Sequence, residues 1–252
     1  MPNNVKNIVK MKGILNLPLF VMEDGVKCFD FNKIIPMPKS LDIESGSMTK
    51  ECIMYYLTNR CTIPVGCIGG KKLDVARKLL TDMLLYGDEG LKLLFSRVME
   101  KTFVMPESKK NEMYHNGQVY IDNYKKYGCT TWYDWCINYW GTKWNSYSNR
   151  QDGEDIIIFE TAWSNPGPVI LGLSKIYPEA EIEHWWADED MGNNDGYRFY
   201  QGKEIIDENS CASCSNEAYE IYIKCWGESM CLEQDREGNW QHKDCDICHG
   251  CD

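Results

Sequence analysis

The stretch EDIIIFETAWSNPGPVILGLSKIYP, residues 154–178, decides the fold. It opens with a run of β-branched and apolar residues, which predicts a strand. An unbroken apolar run is expected when both faces of the strand are covered. Pro166 and Pro168 then stand at the start of a short apolar helix, and Pro178 lies beyond its end. The sequence therefore predicts a strand that is followed directly by a helix.

The next segment, EIEHWWADEDMGNNDGYRFYQGKEI at residues 181–205, predicts a strand, a turn and a returning strand. Aromatic runs flank Gly192 and Asn193, a combination that is typical of a hairpin. At the amino end, VKNIVKMKG at residues 5–13 alternates apolar and polar side chains imperfectly and predicts another strand. Together these elements predict an α+β layer in which helices lie on one face of an antiparallel sheet.

Three other segments place apolar residues at helical spacing: residues 47–61, 73–103 and 130–140. We therefore expect a helical insertion at residues 45–125. The α+β core is then formed by residues 1–44 and 126–206, and a Cys-rich segment, residues 207–252, completes the chain.

Composition limits the classes of partner. Lys and Arg total 27 against 38 Asp and Glu, and the formal net charge of −11 opposes docking on a nucleic-acid backbone. We find no signal-peptide pattern and no run near the roughly 20 apolar residues that span a bilayer. We therefore expect a cytoplasmic protein without a membrane partner. The 13 cysteines are an odd number, so they cannot all pair within one chain.

Four phrases together resemble the Api92-like (YubB-like) proteins of phages and plasmids. They are FDFNKIIPMPKSL at 29–41, WCINYWGTKWN at 135–145, FETAWSNPGPVILGLSKIYP at 159–178 and WADEDMGNNDGYRFYQGKEI at 186–205. The resemblance implies a ferredoxin-like βαββαβ domain without an iron–sulfur cluster. It also implies a mobile-element protein in the host cell cytoplasm, and it implies no established chemistry. The insertion and the Cys-rich tail depart from the family pattern.

The tail contains two Cys-x-x-Cys pairs, Cys211 with Cys214 and Cys245 with Cys248. Four thiolates suit a structural zinc ion, because each pair presents two soft ligands toward one point. The linker is longer than in the usual zinc ribbon. The set of ligands stays open, as does the alternative of reduced thiols on a loose tail. The spare candidates are Cys225, Cys231, His242, His249 and Cys251.

A second candidate site surrounds Trp144. An indole offers a flat face to a base, and Lys143, Asn145 and Arg198 could meet a phosphate or a base edge. The alternative is that the tryptophans form the core, which we expect for Trp140 and Trp163.

Asp188 and Asp190 are a third candidate, as ligands for a cation or, with Glu189, as an acid/base group. The alternative favoured by turn statistics is that these carboxylates cap backbone N–H groups at the end of a hairpin.

Three functions follow from these features. The first is a non-enzymatic counter-defence protein that sequesters a nucleotide signal or blocks a host protein. The second is a zinc-stabilised module for interaction with protein or nucleic acid, and the third is a metal-dependent hydrolase that uses Asp188, Glu189 and Asp190. No GxSxG, Walker or HExxH motif occurs, which favours binding over catalysis.

Overall fold

The structure is a computed structural model that describes residues 3–60 and 88–243, apart from the side chains of Arg60 and Asp88. The predicted helical spacing at residues 73–84 and the predicted ligands Cys245 and Cys248 lie outside the described residues. The described strands are β1 (Asn4–Met11), β2 (Phe20–Glu23), β3 (Val26–Phe29), β4 (Tyr147–Asp152), β5 (Ile156–Ala162), β6 (Ile182–Asp188), β7 (Gly196–Gln201), β8 (Glu204–Ser210), β9 (Leu232–Gln234) and β10 (Trp240–His242). The described helices are α1 (Ser47–Arg60), α2 (Asp88–Phe103), α3 (Glu107–Tyr127), α4 (Trp132–Trp140), α5 (Gly167–Ile176) and α6 (Asn216–Trp226).

The fold divides into two compact units. The first combines the segment up to Met37 with the segment from Cys136 onward, and the second is Pro38–Trp135. The first unit contains every strand of the described residues. The second unit is helical and contains α1, α2, α3 and the first residues of α4.

A six-stranded antiparallel sheet with the order β4-β5-β1-β6-β7-β8 forms the centre of the first unit. Strand β1 lies between β5 and β6 and pairs with both in the antiparallel sense, so β5 and β6 are parallel to each other. Helix α5 connects these two strands. The α+β class and the antiparallel sheet predicted from the sequence are confirmed.

The pleat gives the sheet two faces. Val5, Asn7 and Val9 lie on one face of β1 and are fully buried. On this face α5 passes over the sheet, and its first residue, Gly167, contacts the side chain of Arg198. Helix α6 packs on the other face, where Ile221 and Cys225 meet Ile8 and Ala187. The expected helical layer on one face is therefore joined by a second layer on the opposite face.

An aromatic core anchors the chain around α4. Phe31 packs edge to face with Trp140 and with Phe159 of β5, and the ring centroids are 5.6 and 5.9 Å apart. The Trp140 indole N–H donates to the carbonyl of Ile35 at 2.9 Å. Because Trp140 is buried on all sides and its one polar atom is paired, the prediction that it belongs to the core is confirmed.

In the second unit, α1 and α3 approach closely at Gly117. A Cβ atom at this position would stand 2.2 Å from the carbonyl oxygen of Cys52 in α1. Val98 of α2 and Ile121 of α3 join the same apolar cluster. The Tyr120 hydroxyl donates to the carbonyl of Glu44 at 2.8 Å, which ties α3 to the segment before α1.

Candidate functional site

Lys143 lies between two exposed indole rings. Its Nζ atom is 4.4 Å from the ring centroid of Trp144 and 4.6 Å from that of Trp163. Trp144 is 39% exposed and Trp163 is 44% exposed. We call these three residues the tryptophan–lysine platform. It brings a cation and two flat aromatic surfaces to one place on the surface, which is a combination that binds nucleotide bases and phosphates in other proteins.

The platform lies where two parallel strands end. Trp163 directly follows β5, and β6 ends at Asp188. The carboxyl ends of these two strands therefore lie at the same end of the sheet. Trp163 has a φ of 71°. This left-handed conformation is uncommon for a bulky residue and is a form of backbone strain that is found at functional sites.

Hydrogen bonds hold Trp163 in this conformation. Its N–H donates to the carbonyl of Asn3 at 2.9 Å, and its own carbonyl accepts from Nδ2 of Asn194 at 3.1 Å. The prediction that Trp163 belongs to the core is wrong. Because β5 ends one residue earlier, at Ala162, the ring falls in the turn before α5 and is exposed.

The carboxylate of Asp188 organises the turn beside the platform. One of its oxygens accepts from Nδ2 of Asn3 at 3.2 Å and from the N–H of Asp190 at 2.9 Å. The other oxygen accepts from Nδ2 of Asn194 at 3.3 Å. Desolvation raises the pKa of Asp188, and these hydrogen bonds act in the opposite direction. Asn194 thereby joins the Asp188 turn to the backbone of Trp163.

The neighbouring side chains of Glu189 and Asp190 make polar contacts as well. An oxygen of Glu189 accepts from Nδ2 of Asn4 at 2.7 Å, and an oxygen of Asp190 accepts from Nδ2 of Asn193 at 3.1 Å. Strand β6 ends at Asp188, so Asp190 lies in the turn that follows. The carboxylates of Asp188 and Asp190 therefore do not lie on one face of a strand. Among the residues that the structure describes, no three His, Cys, Asp or Glu side chains are grouped to hold a metal ion.

The side-chain amide of Asn145 makes hydrogen bonds within the protein at both its oxygen and its nitrogen. Its Oδ1 accepts from the N–H groups of Phe31 and Ser146, at 2.9 and 3.0 Å, and its Nδ2 donates to Asp30 at 2.8 Å. It therefore fastens the 30–31 segment to the start of β4.

Arg198 lies on β7, where it pairs with His184 of β6. It is therefore not at the strand ends where the platform lies. Its guanidinium stacks over the ring of Trp186, with its carbon 5.3 Å from the centroid, and its Nε donates to Glu208 at 2.8 Å.

The first predicted cysteine pair stands before α6. Cys211 is half-buried and packs against the apolar cluster of α6, and Cys214 is exposed with a φ of 56°. Burial raises the pKa of the Cys211 thiol to about 11. A bound metal would have to overcome that preference for the protonated thiol.

Sequence reasoning missed two members of this site, Asn3 and Asn194. Both act through amide groups that join segments far apart in the chain, and no local pattern marks such contacts. The Gly–Asn composition of residues 192–194 predicted a turn, but not that its last side chain would reach the backbone of Trp163.

Residues 143–222 match the family model described as the ferredoxin-like domain in Api92-like protein. The matched segment begins at Lys143 of the platform and extends into α6. It confirms the resemblance that the sequence indicated, and it identifies this part of the chain as a ferredoxin-like domain of the Api92-like type.

A crystal structure of protein api92 from Yersinia pseudotuberculosis is also similar, at 14% identity and a TM-score of 0.34, covering 84% of this chain and 99% of that one. A search of curated proteins gave no match. Within the described residues, no helix combines the length and the apolar character needed to cross a bilayer.

Proposed function

We propose that this protein binds a nucleotide at the tryptophan–lysine platform and does not turn it over. The observation that carries the proposal is the position of Lys143 between two indole rings that are both exposed. Exposed tryptophan is costly to leave in water and is concentrated where proteins bind ligands. Here the backbone of Trp163 is strained and is held by hydrogen bonds to Asn3 and Asn194, which fixes the position of this residue before a ligand arrives.

The chemistry of the platform fits a base joined to a phosphate. A base that stacks on an aromatic side chain contributes about 1–3 kcal/mol. The Lys143 ammonium is adjacent to both rings, so it is within reach of a phosphate attached to a base stacked on either one. The net charge of −11 makes a small nucleotide a better ligand than a long nucleic acid, since repulsion grows with each added phosphate.

The biological role that we propose is counter-defence on behalf of a phage or plasmid, in the cytoplasm of the host. A protein that binds a nucleotide signal without consuming it lowers the free concentration of that signal. This role is motivated by the four sequence phrases that resemble Api92-like proteins of phages and plasmids.

Blocking a host protein is the second form of the same proposal, because exposed tryptophans are also the residues that dominate protein interfaces. The hydrolase alternative has less support. The Asp188 oxygens already accept three hydrogen bonds, and Glu189 and Asp190 each accept one, which leaves them poorly placed to form a shared metal site.

Calorimetric titration with a panel of nucleoside monophosphates, linear dinucleotides and cyclic nucleotides tests the proposal. At least one class should bind, and Trp163→Leu should weaken its binding by tenfold or more. Trp240→Leu is the matched control, because Trp240 lies on β10, outside the platform, and should leave the affinity unchanged.

Recovery of unchanged nucleotide after incubation separates binding from turnover. If no member of the panel binds, the nucleotide form of the proposal is wrong. If a member binds and is converted, the non-enzymatic part is wrong.

A further inference from the structure

The side-chain amide of Asn194 has a fixed orientation. Its Nδ2 group donates twice, to the carbonyl oxygen of Trp163 at 3.1 Å and to Oδ2 of Asp188 at 3.3 Å. A main-chain carbonyl can only accept a hydrogen bond, so the opposite orientation of the amide would set Oδ1 against another acceptor. Both hydrogen atoms of Nδ2 are therefore used within the protein, and Oδ1 is the end of the amide that remains.

Oδ1 of Asn194 is an acceptor that the fold does not use. Asn194 is exposed, and no donor among the described residues makes a hydrogen bond with this oxygen. The oxygen belongs to the same amide that contacts the backbone of Trp163, so it lies beside the tryptophan–lysine platform. The platform therefore has one acceptor of fixed direction in addition to its rings and its ammonium group.

The turn that carries Asn194 is also held by the segment before α6. The N–H of Cys214 donates to the carbonyl of Gly192 at 2.9 Å, and the N–H of Cys211 donates to the carbonyl of Asp195 at 3.0 Å. These two contacts flank residue 194 in the chain. The position of the acceptor is therefore set before a ligand binds, which favours specificity over adaptability.

The backbone at this position accepts few residue types. Asn194 has a φ of 56°, in the left-handed region that asparagine adopts more readily than most other residues. Glycine adopts the same conformation without steric cost. Replacement of Asn194 by glycine therefore removes the amide and keeps the backbone conformation of the turn accessible.

An acceptor at the edge of a stacked base discriminates between amino and oxo groups. The exocyclic amino groups of adenine and cytosine donate hydrogen bonds, whereas an exocyclic oxygen at the same position of a base accepts them. Oδ1 would gain a hydrogen bond from the amino group, but it would face a second acceptor if an oxygen stood there. A polar group left without its partner costs more than the hydrogen bond contributes.

We propose that Asn194 determines base specificity at the platform, and that the ligand is a nucleotide whose base carries an exocyclic amino group, as adenine and cytosine do. The base stacks on Trp163, its amino group donates to Oδ1 of Asn194, and the Lys143 ammonium contacts the phosphate. This assignment rests on the nucleotide binding proposed above and adds to it the class of base.

Calorimetry of the whole protein with matched pairs of nucleotides tests the assignment. Adenosine and inosine 5′-monophosphate differ by the exchange of an amino group for an oxo group, and cytidine and uridine 5′-monophosphate differ in the same way. We expect the amino member of each pair to bind at least fivefold more tightly. The same order is expected for the cyclic dinucleotides of adenine and hypoxanthine.

Asn194→Gly should remove this preference, so that the two members of each pair bind within twofold of each other. Asn193→Gly is the matched control. Its amide contacts Asp190 rather than Trp163, so this variant should keep the preference. If Asn194 only holds Trp163 in place, its replacement would weaken the binding of both members by the same factor and leave their ratio unchanged.

The possible results separate this assignment from the function on which it rests. Nucleotides that bind without preference for the amino member, or a preference that persists in Asn194→Gly, would overturn the role of Asn194 and leave nucleotide binding in place. If none of these nucleotides binds, both proposals are wrong. The comparison within the wild-type protein does not depend on the stability of any variant.

Discussion

Asp195 is a buried carboxyl group at the end of the turn that supports the platform. It is 2% exposed, and its Oδ1 accepts from the N–H of Asp188 at 3.1 Å. Within the described part of the chain its Oδ2 has no hydrogen-bond partner. Desolvation, assisted by the charges of Asp188 and Asp190, raises the pKa of Asp195 to about 8, so the group is mostly uncharged at neutral pH.

This shift predicts a particular pH dependence. The folded state holds the proton up to about pH 8, while the unfolded chain releases it near the ordinary value of 3.8. The contribution of Asp195 to the free energy of unfolding is therefore greatest below pH 3.8 and is lost as the pH rises toward 8. Asp195→Asn keeps the acceptor for Asp188 and removes the proton equilibrium.

We expect the free energy of unfolding of Asp195→Asn to exceed that of the wild type by about 1–3 kcal/mol at pH 8. The difference should disappear near pH 4, as measured by urea denaturation at each pH. A difference that is independent of pH would mean that Asp195 is ionised in the folded state.

At the residue scale, the sequence could predict which side chains suit a ligand, but not which of them are exposed to solvent. Lys143 and Trp144 were recognisable as a possible ligand surface, because a cation and an aromatic ring are adjacent in the chain. The sequence predicts that Trp163, like Trp140, lies in the core. Its exposure depends on where β5 ends and on a positive φ, and both are set by contacts with Asn3 and Asn194 from distant segments.

At the element scale, the contact between α1 and α3 depends on one glycine. Gly117 faces the backbone of Cys52 and the Cβ of Tyr56, which would be 2.2 and 2.6 Å from an added Cβ. Backbone atoms cannot move aside as the end of a side chain can, so the helices would have to separate.

Gly117→Ala should therefore destabilise the helical unit. Alanine gains about 1 kcal/mol in helix propensity, but overpacking costs about 1–3 kcal/mol and more where backbone is involved. We expect a net loss of about 1–2 kcal/mol, measured by circular dichroism during chemical denaturation. Gln118→Ala, at the neighbouring exposed position, should change the stability little. A Gly117→Ala protein as stable as the wild type would contradict the close approach of the two helices.

Helices and central strands were predictable because their patterns are local. β1, β5, β6 and α5 carry alternating, continuous apolar or helical patterns, and each appears where the sequence indicated it. The outer strands were not predicted. β4 is YSNRQD and β8 is EIIDENS, and neither has an apolar face, because a strand at the edge of a sheet is half in water. Their conformation is fixed by pairing with β5 and β7 rather than by their own composition.

At the scale of the whole molecule, we propose that a zinc ion joins the tail to the segment before α6. The ligands would be Cys211 and Cys214 together with Cys245 and Cys248. Protein purified under reducing conditions should contain about one zinc per chain by elemental analysis. The double replacement Cys211→Ser and Cys214→Ser should remove the zinc, and Cys28→Ser, a cysteine outside the set, should retain it.

Absence of stoichiometric zinc in the wild-type protein would overturn this proposal. Zinc retained in the double variant would instead assign the ion to other ligands.

The ferredoxin-like domain was predictable from the phrases that resemble Api92-like proteins, since residues 143–222 match the model of that domain. The pairing order across the sheet was not predictable, because β1 lies between two strands that come about 150 and about 180 residues later in the chain. Long-range pairing of this kind is set by the burial of a whole face and leaves no signature in any single segment.

The most direct test of the central claim, a nucleotide site at the tryptophan–lysine platform, is the NMR spectrum of the indole N–H groups. The chain has 9 tryptophans. The spectra of Trp144→Phe and Trp163→Phe, each of which lacks one signal, assign the indole N–H signals of these two residues. Addition of the nucleotide class that binds in calorimetry should shift the signals of Trp144 and Trp163 and leave that of Trp240 in place. If no indole signal moves at saturating nucleotide, or if the signals that move belong to other tryptophans, the platform is not the binding site.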